Sequence, residues 1–530
     1  MVTTGAGVVD RFSLQLTFLL FLCVVVVTLF TALLLAPQRD EISEFYLGNR
    51  EMTPLRNGLA MCGDYISAAT LLGSTGLVAL TGYDGLLYLC GTAVAWMTVL
   101  LLIAEPLHNA GRFTLGDTLA LRLPQGRRSV RLALFLCTLA VTTLYLVAQL
   151  VGSVALLTQF TGEPSATTRT LCVVVIGTIV IVYAAIGGMP GATFIQMVKA
   201  VMLISGIAVT AVMVLHRFHW NLDALLGSAA DHSGLGTRYL EPGLRYGAST
   251  TSKLDFFSLQ LAIVFGLAAL PHVMMRLLAP RSSRVLRSSV VWAMGLVGFV
   301  CLAAGILGLG ATAVVGRGTI EQTDRKGDSA VLLLAHQLGG GVLTALLSCL
   351  AFVTLLAVAS GLTLAAASSL AHDLWGEVVR KGRAEQTEEL VVARLSAVVI
   401  GVLGMLLALV SWGANTATLA FLAFAIAASA LLPTLVYTLF WRRFNATGAL
   451  LSLCGGLLCS VLLVVFSPVV SSTPASFYPD ADFAWFPLQN PGIVSIPAGF
   501  VLGWLGTVVA RREEPDTFDE FQVRALVGAE

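Results

Sequence analysis

Charge is scarce in this 530-residue sequence, since only 12% of its residues are Asp, Glu, Lys or Arg. That share is about half of what an ordinary soluble protein carries. Hydrophobic residues make up 57% of the chain, and the mean hydropathy is +0.87. A chain this apolar cannot cover its surface with charge, so most of that surface faces lipid. The composition excludes a soluble enzyme, a nucleic-acid-binding protein and a disordered scaffold, and the net charge of +1 indicates no bulk electrostatic partner.

The sequence also lacks the motifs of several enzyme classes. It contains no G-x-x-x-x-G-K-[ST] phosphate loop, no H-E-x-x-H zinc motif and no G-x-S-x-G nucleophile motif. Direct ATP hydrolysis therefore has no visible site, and we expect neither an enzyme nor a resident cofactor. The nine cysteines all lie in apolar runs, and none forms a C-x-x-C pair. They are typical of helix packing rather than of disulfides or metal ligands.

Apolar runs long enough to cross a bilayer recur along the whole chain, each of about 20 residues or more. Thirteen are predicted, at 14–36, 54–81, 84–105, 130–159, 169–187, 193–215, 254–277, 288–316, 342–371, 391–411, 416–440, 446–467 and 492–510. The first is too long for a signal-peptide core and lacks its basic flank, so we expect a retained span. Gly339, Gly340 and Gly341 predict a break before the ninth span, after a short surface helix.

The positions of Lys and Arg predict the orientation of these spans. Placing the C-terminus inside puts 21 basic residues in inner loops and at inner span ends, against nine outside. Lys199 is left over inside a span, near its inner end, where its side chain is expected to reach toward the interface. The bias predicts an N-terminus outside and a C-terminus inside.

Spans 2–6 and 7–11 form two five-helix sets, over 54–215 and 254–440. Because five is odd, the second set enters the membrane from the opposite face, which is an inverted repeat. One extra span, 14–36, precedes the two sets; two extra spans, 446–510, and a cytoplasmic tail, 511–530, follow them. The first helix of each set contains glycine or proline, the pattern of transporters whose helices break at the binding site.

Asp64 is the intramembrane carboxylate of the first broken helix. It lies ten residues after Pro54, or ~15 Å at helical rise, near the bilayer centre. A carboxylate there predicts a cation or proton site. The alternative is a structural carboxylate that caps a half-helix or pairs with a basic residue. Ser67 follows one turn later, and taken alone it is more typical of helix packing.

Further polar residues fall near the middle of other spans. In span 7, Gly266 lies close to the centre and Pro271 interrupts the helix, whereas His272 is expected near the inner interface beside Arg276. Thr354 and Ser360 lie near the middle of span 9. Their hydroxyls could bind a hard cation or hold helices together, and the sequence favours neither interpretation. Tyr145 and Gln149 share one helix face, where they line a cavity or bond between helices.

In the segments that contain these residues, the chain resembles the sodium:solute symporter family, and within it most closely the bacterial cation/acetate symporters. The segments that carry the resemblance include N-G-L-A-M-C-G-D-Y-I-S-A-A-T-L-L-G at 57–73, Y-A-A-I-G-G-M at 183–189, L-P-H-V-M-M-R at 270–276 and G-L-T-L-A-A-A-S-S-L-A-H-D-L at 361–374. The resemblance implies an all-α polytopic membrane protein with the leucine-transporter-type 5+5 inverted repeat. It also implies cation-driven uptake of acetate or a related short monocarboxylate.

The resemblance also implies where the ligands bind. Sodium-coupled members commonly carry two adjacent hydroxyl residues in the wall of the ninth span, where this chain has Ala357 and Val358, so both Na⁺ and H⁺ stay open as the coupling ion. The candidate cation site is Gly63, Asp64, Ser67, Thr354 and Ser360. The candidate substrate site is Thr70, Tyr145, Gln149, Gly266, Pro271 and Thr363.

The expected protein is thus a symporter of the bacterial plasma membrane, whose partners are the lipid bilayer and a small monocarboxylate. No arginine is expected at the centre of the bilayer, so backbone donors at half-helix ends and hydroxyls are expected to hold the anion. The alternatives are transport of another solute such as proline or a sugar, a membrane sensor built on a transporter-like domain, and a channel. A sensor is disfavoured because only about twenty residues follow the last span.

Overall fold

The architecture is all-α, as predicted. The computed structural model describes residues 11–35, 42–48, 52–162, 164–411, 416–473, 476–510 and 518–527. Within those ranges every regular secondary-structure element is a helix. The one β-type contact there is an isolated bridge between Ser471 and Tyr478. The same ranges contain no disulfide, since all nine cysteines are free.

Twenty-one α-helices follow one another in the described part of the chain. The first ten are α1 Arg11–Leu34, α2 Ile42–Leu47, α3 Pro54–Tyr65, α4 Ser74–Thr81, α5 Tyr83–Thr98, α6 Ala104–Ala110, α7 Leu115–Arg122, α8 Arg127–Thr161, α9 Ala166–Arg217 and α10 Leu222–His232. The others are α11 Thr250–Leu267, α12 Pro271–Leu278, α13 Ser283–Val315, α14 Arg317–Thr323, α15 Ala330–Ser368, α16 Gln386–Val410, α17 Thr416–Ile426, α18 Leu432–Phe440, α19 Ala446–Val465, α20 Gly492–Ala510 and α21 Phe518–Val527. Shorter π-helical turns follow α5, α15 and α17 and precede α4.

Eleven helices among the described residues are long and apolar enough to cross a membrane. Helix α9 counts once among them although it holds two helices that meet at Gly188, where φ is +50°. The α3–α4 segment adds a shorter broken one. Large apolar side chains on the outer faces, such as Leu22 and Phe30 of α1, stay exposed for contact with lipid. A multi-pass membrane protein is confirmed, whereas the count of thirteen, the N-outside orientation and the repeat boundaries stay predictions.

Both helices predicted to be broken are broken. Helix α3 ends at Tyr65, and Ile66 takes an extended conformation (φ −81°, ψ 112°) before the chain turns helical again. In the second repeat α11 ends at Leu267, and Pro271 opens α12. Proline suits the first turn of a helix because it has no N–H to donate, and it restrains the preceding residue to extended backbone. Leu270 has that conformation (φ −66°, ψ 128°).

Helix α15 forms the centre of the bundle, packed against α1, α8, α9 and α13. Nearly every residue from Leu343 to Ser368 is buried. The predicted break before this span lies at Gly340, where φ is +60° and ψ is −154°. This backbone is open to glycine and strained for other residues. The buried part of α15 therefore runs past the break of α3, which positions the candidate site.

Candidate functional site

A cavity of about 410 Å³ lies beside the break between α3 and α4. Its inner part is bounded by Ala68 and Leu72 near the break, by Gln149 of α8 and by Leu355 of α15. Its mouth opens among the loops that the charge bias places outside. The polar and charged residues at the mouth are Arg245, Tyr246, Asp324, Arg325, Lys326 and Asp328. The cavity thus connects the side that is predicted to be outside with the broken helix.

Gln149 is the predicted substrate residue that lines this cavity. It is 2% exposed, and its Oε1 has no hydrogen-bond partner among the described residues. A buried amide oxygen without a donor is costly in a native protein, so a water molecule or a donor group of a ligand is expected to satisfy it. Tyr145, one turn earlier, does not line the cavity. The centroid of its ring lies 5.3 Å from that of Phe424 and 5.9 Å from that of His272. Its hydroxyl forms a hydrogen bond with the Ser67 side chain.

The other four predicted substrate residues take packing positions in this conformation. Thr70 lies in the π-helical turn between the two cavity residues of the break, and its N–H donates to the Ser67 carbonyl. Thr363 donates to the Ala359 carbonyl of its own helix at 2.9 Å. Gly266 lets the backbone carbonyl of Phe424 approach closely, where a Cβ would clash. Pro271 is buried at the start of α12.

Asp84 holds the loop that brings Arg245 and Tyr246 to the cavity mouth. Its carboxylate accepts the backbone N–H groups of Gly243 and Arg245 at 2.7 Å and of Tyr246 at 3.2 Å. Asp328 belongs to the opposite rim, and burial raises its pKa to about 7, with a further increase from the neighbouring Asp324. At neutral pH this carboxyl is therefore partly protonated, which leaves the mouth with a positive bias.

Asp64 is buried and paired. Arg276 of α12 donates to Oδ2, and Gln196 of α9 donates to Oδ1 at 2.6 Å. Arg276 also donates to the Thr193 hydroxyl. We expected no arginine at the centre of the bilayer, and this prediction is wrong. The Arg276 side chain is 2% exposed and extends from α12 into the helix break beside Asp64. Asp64 thus adopts the alternative that the sequence left open, a carboxylate paired with a basic residue.

Lys199 is fully buried, so the expectation that it reaches toward the interface is wrong. Its Nζ donates to the backbone carbonyl of Ile66 at 2.5 Å and to that of Gly63. Gly63 itself is required by packing, since a Cβ there would clash with the Gln196 carbonyl. The ammonium therefore contacts the two carbonyls at the end of α3.

Two of the remaining predicted cation residues, Thr354 and Ser360, lie on α15 and do not converge on these carbonyls, whereas Ser67 lies just past the end of α3 and contacts the Tyr145 hydroxyl. Ser360 donates to the Ala357 carbonyl of its own helix at 2.8 Å, and Gln196 donates to the same carbonyl at 2.7 Å. Thr354 Oγ1 is buried without a partner in the described part of the chain. Helix α15 still passes close to the carboxylate, because a Cβ at Gly361 would lie 2.7 Å from Asp64 Oδ1.

His272 was expected near the inner interface but lies at the break, 3% exposed. Its ring faces the backbone of Asp64. Sequence reasoning also missed Gln196 and underrated Lys199. The available signal was their spacing, since residues 196 and 199 share one face of a helix that is otherwise apolar there.

A second polar assembly, the ionic cluster, lies at the end of the bundle that the charge bias places inside. Its members are Tyr46, Thr114, Asp117, Arg131, His372, Asp373 and Glu389. Arg131 binds Asp117 at 2.6 Å and Asp373 at 2.8 Å, and His372 lies between Asp117 at 2.9 Å and Glu389 at 2.8 Å. Thr114 and Tyr46 donate to Asp373 and Glu389. The cluster ties α2, α7, α8, α16 and the end of the α15 segment together.

The charges of the cluster stabilise one another. Burial alone would raise the pKa of Asp117, but its hydrogen bond to His372 and the charges of His372 and Arg131 hold that pKa well below its usual range. Burial and the neighbouring Glu389 raise the pKa of the Tyr46 phenol well above 10. Ion pairs hold the cluster together, and no group of three or more His, Cys, Asp or Glu within the described ranges has metal-binding geometry.

Comparison with known proteins identifies the family. The sodium:solute symporter family matches residues 45–456. The "Monocarboxylic acid transporter" of Corynebacterium glutamicum is 41% identical over 522 residues, covering 96% of this chain and 94% of that protein. The "Uncharacterized symporter YwcA" of Bacillus subtilis is 40% identical over 513 residues, covering 96% and 98%.

Two solved structures share the fold at 13% identity. A Na⁺-coupled sialic acid symporter has a TM-score of 0.69, with 93% of this chain and 98% of that chain covered. The nucleobase-cation-symport transporter MHP1 has a TM-score of 0.52, with 92% and 100% covered. The leucine-transporter-type fold is therefore confirmed. The chain is a member of the sodium:solute symporter family, a multi-pass protein of the plasma membrane.

Proposed function

We propose that this symporter couples an inward cation gradient to the uptake of acetate or a related short-chain monocarboxylate, without enzymatic chemistry. The cavity at the break of α3 is the observation that carries the proposal. It combines apolar walls with the buried Gln149 side chain, whose amide N–H groups can donate to an anion, and with a positively biased mouth. A carboxylate with a short alkyl tail matches both features.

Gln149 is the proposed substrate contact in the outward-facing state. Its side-chain amide also has N–H donors, which suit a carboxylate, while Leu72 and Leu355 suit a methyl group. Thr70, Tyr145, Gly266, Pro271 and Thr363 surround this region without lining the cavity, so we propose that they contact substrate only after the helices move. Rocking of α3–α5 and α11–α13 against the rest would provide that movement.

The break of α3 is the proposed coupling site. Asp64 and Gly63 lie there, Ser67 follows directly, and the α15 wall with Thr354 and Ser360 passes alongside. A cation bound or carried at this point would favour the outward-facing loaded state and link the gradient to uptake. The name of the Corynebacterium relative supports a monocarboxylate as the solute that moves with it.

Uptake by purified protein in proteoliposomes tests this function. We expect labelled acetate to accumulate when an inward Na⁺ or H⁺ gradient is imposed, and unlabelled propionate or pyruvate to compete. Protein-free liposomes control for passive entry of acetic acid. Competition by proline or a sugar, with none by monocarboxylates, would assign a different solute. Flux that never exceeds the equilibrium distribution would indicate a channel and contradict symport.

A further inference from the structure

We infer that Lys199 supplies the cation at the break of α3, and that the coupling ion there is a proton on its Nζ atom and not Na⁺. The inference rests on the proposed function, because it names the ion of that symport. Three features of the site carry it: the acceptors of the ammonium, the missing ligands for a metal ion, and the charges that face Lys199.

The acceptors of the ammonium lie at the C-terminal end of α3. The last carbonyls of a helix lack helical donors and carry its partial negative charge, so they attract a cation. Nζ contacts the carbonyls of Gly63 and Ile66, which are three residues apart and converge because the helix stops there. A side chain from α9 thus occupies the point where a broken helix offers oxygen to a cation.

A sodium ion at this point would lack both room and ligands. Na⁺ needs several oxygen ligands, and an ammonium already takes the two carbonyls. Each oxygen of Asp64 already accepts a hydrogen bond, from Arg276 and Gln196, and Ser360 donates to its own helix. The wall of α15 presents Ala357 and Val358, whose side chains carry no oxygen. Binding of Na⁺ would first require removal of the lysine.

The charges that face Lys199 come from two helices. Helix α3 contributes Asp64 and Cys62, and α12 contributes His272, while Arg276 of α12 lies beside His272 and is paired with Asp64. Two cations, Lys199 and Arg276, therefore face one carboxylate, and Arg276 takes that carboxylate. Loss of one proton from Nζ would leave this group of side chains with no net charge in an interior where an excess charge is costly.

The proton step follows from this arrangement. In the outward-facing state Nζ carries three hydrogens and holds the end of α3 through two N–H···O bonds. When the inner side opens, Nζ gives one proton to water and becomes a neutral amine with a lone pair. The empty carrier returns and Nζ takes a proton from outside water. Each cycle moves one proton inward with the substrate.

Driven accumulation and exchange separate this inference from the proposed function. Labelled pyruvate is the probe, because little of it exists as the permeant neutral acid. We expect wild-type proteoliposomes to accumulate it under an inward proton gradient without Na⁺. Lys199→Met should lower that accumulation by about tenfold or more while pyruvate counterflow persists. Lys199→Arg keeps the charge but cannot release a proton, so it should also fail to accumulate. Lys253→Met, at an exposed lysine, is the matched control.

The other possible results would contradict either this inference or the proposed function. Accumulation by Lys199→Arg at the wild-type rate would reduce Lys199 to a structural cation and overturn the inference. A strict requirement of the wild type for Na⁺ would do the same. Absence of counterflow for every monocarboxylate would instead contradict the proposed function. If the Lys199 variants do not fold, the wild type decides alone: Na⁺ in place of choline should leave its Tm unchanged, and a Na⁺-specific rise overturns the inference.

Discussion

At the scale of single residues, the pairing of Asp64 decides how the break is stabilised. Its two carboxylate oxygens take donors from α12 and α9, so three separate helices meet at one side chain. Removing one member of a buried ion pair leaves the other charge uncompensated, and this usually costs more than the pair contributes. Asp64 is therefore expected to support both the fold and transport.

Asp64→Asn should lower the stability by about 3 kcal/mol or more, because Arg276 would stay buried without a counter-charge. Thermal unfolding in detergent measures this, and uptake of labelled acetate measures transport, which should fall by at least about tenfold. Glu105→Gln, which removes a partly exposed pair with Arg287, is the control and should change little.

The double variant Asp64→Asn with Arg276→Gln adds a second test of the pair. It should recover part of the lost thermal stability, because neither charge is then left alone. Wild-type uptake with wild-type cation dependence in Asp64→Asn would contradict the role of Asp64 in transport.

The sequence predicted Asp64 as the special carboxylate but not its partner. An intramembrane carboxylate stands out in the sequence, because a charged residue at that depth is rare and costly. Arg276 lies 212 residues away, and positive charge near a span end is normally a sign of orientation. Only the three-dimensional packing of α12 against α3 shows that this arginine turns inward. The burial of Lys199 at this break could not be predicted for the same reason.

At the scale of helices, the breaks differ in how far the sequence specifies them. Pro271 marks the start of α12 by its own stereochemistry, so that break could be predicted closely. Helix α3 has no proline at its break, and its end at Tyr65 depends on tertiary contacts such as those of Lys199. Gly266, predicted to lie near the bilayer centre as a substrate contact, lies within α11, where it allows close packing against Phe424.

The kink of α15 gives a prediction at this scale. Gly340→Ala should lower the thermal stability by about 1–2 kcal/mol, because φ of +60° is costly for any residue with a Cβ. Space is not the reason, since nothing lies within 4 Å of an added Cβ. Gly318→Ala is the control, because an added Cβ at Gly318 also has nothing within 4 Å, while Gly318 itself lies in helix α14. Equal melting temperatures for the two variants would refute a strained kink.

At the scale of the whole molecule, the ionic cluster joins helices from both predicted repeats at one end. The sequence placed these residues in separate inner loops, and nothing in their spacing predicts that they meet. Long-range pairing of this kind depends on the tertiary arrangement. The cluster lies opposite the open mouth of the cavity, so it holds the predicted inner end together while the outer end is accessible.

The depressed pKa of Asp117 predicts how this stabilisation depends on pH. A carboxylate whose folded pKa is lowered stabilises the fold above its unfolded pKa of about 4 and loses that effect as the pH falls further. The stability deficit of Asp117→Asn should therefore be the same at pH 7 and pH 5 and shrink below about pH 4. Thermal melts of both proteins measure it, with Asp519→Asn, at an exposed pair, as control. A deficit that already halves between pH 7 and pH 5 would contradict this.

The Asp64–Arg276 pair has an electrical consequence. Because these two side chains neutralise each other, Lys199 carries the excess charge of the break. If its proton crosses with one monocarboxylate anion, the pair that moves has no net charge, and the neutral amine adds none on the return. Transport would then generate no current and would respond to the difference in pH across the membrane, whatever the membrane potential.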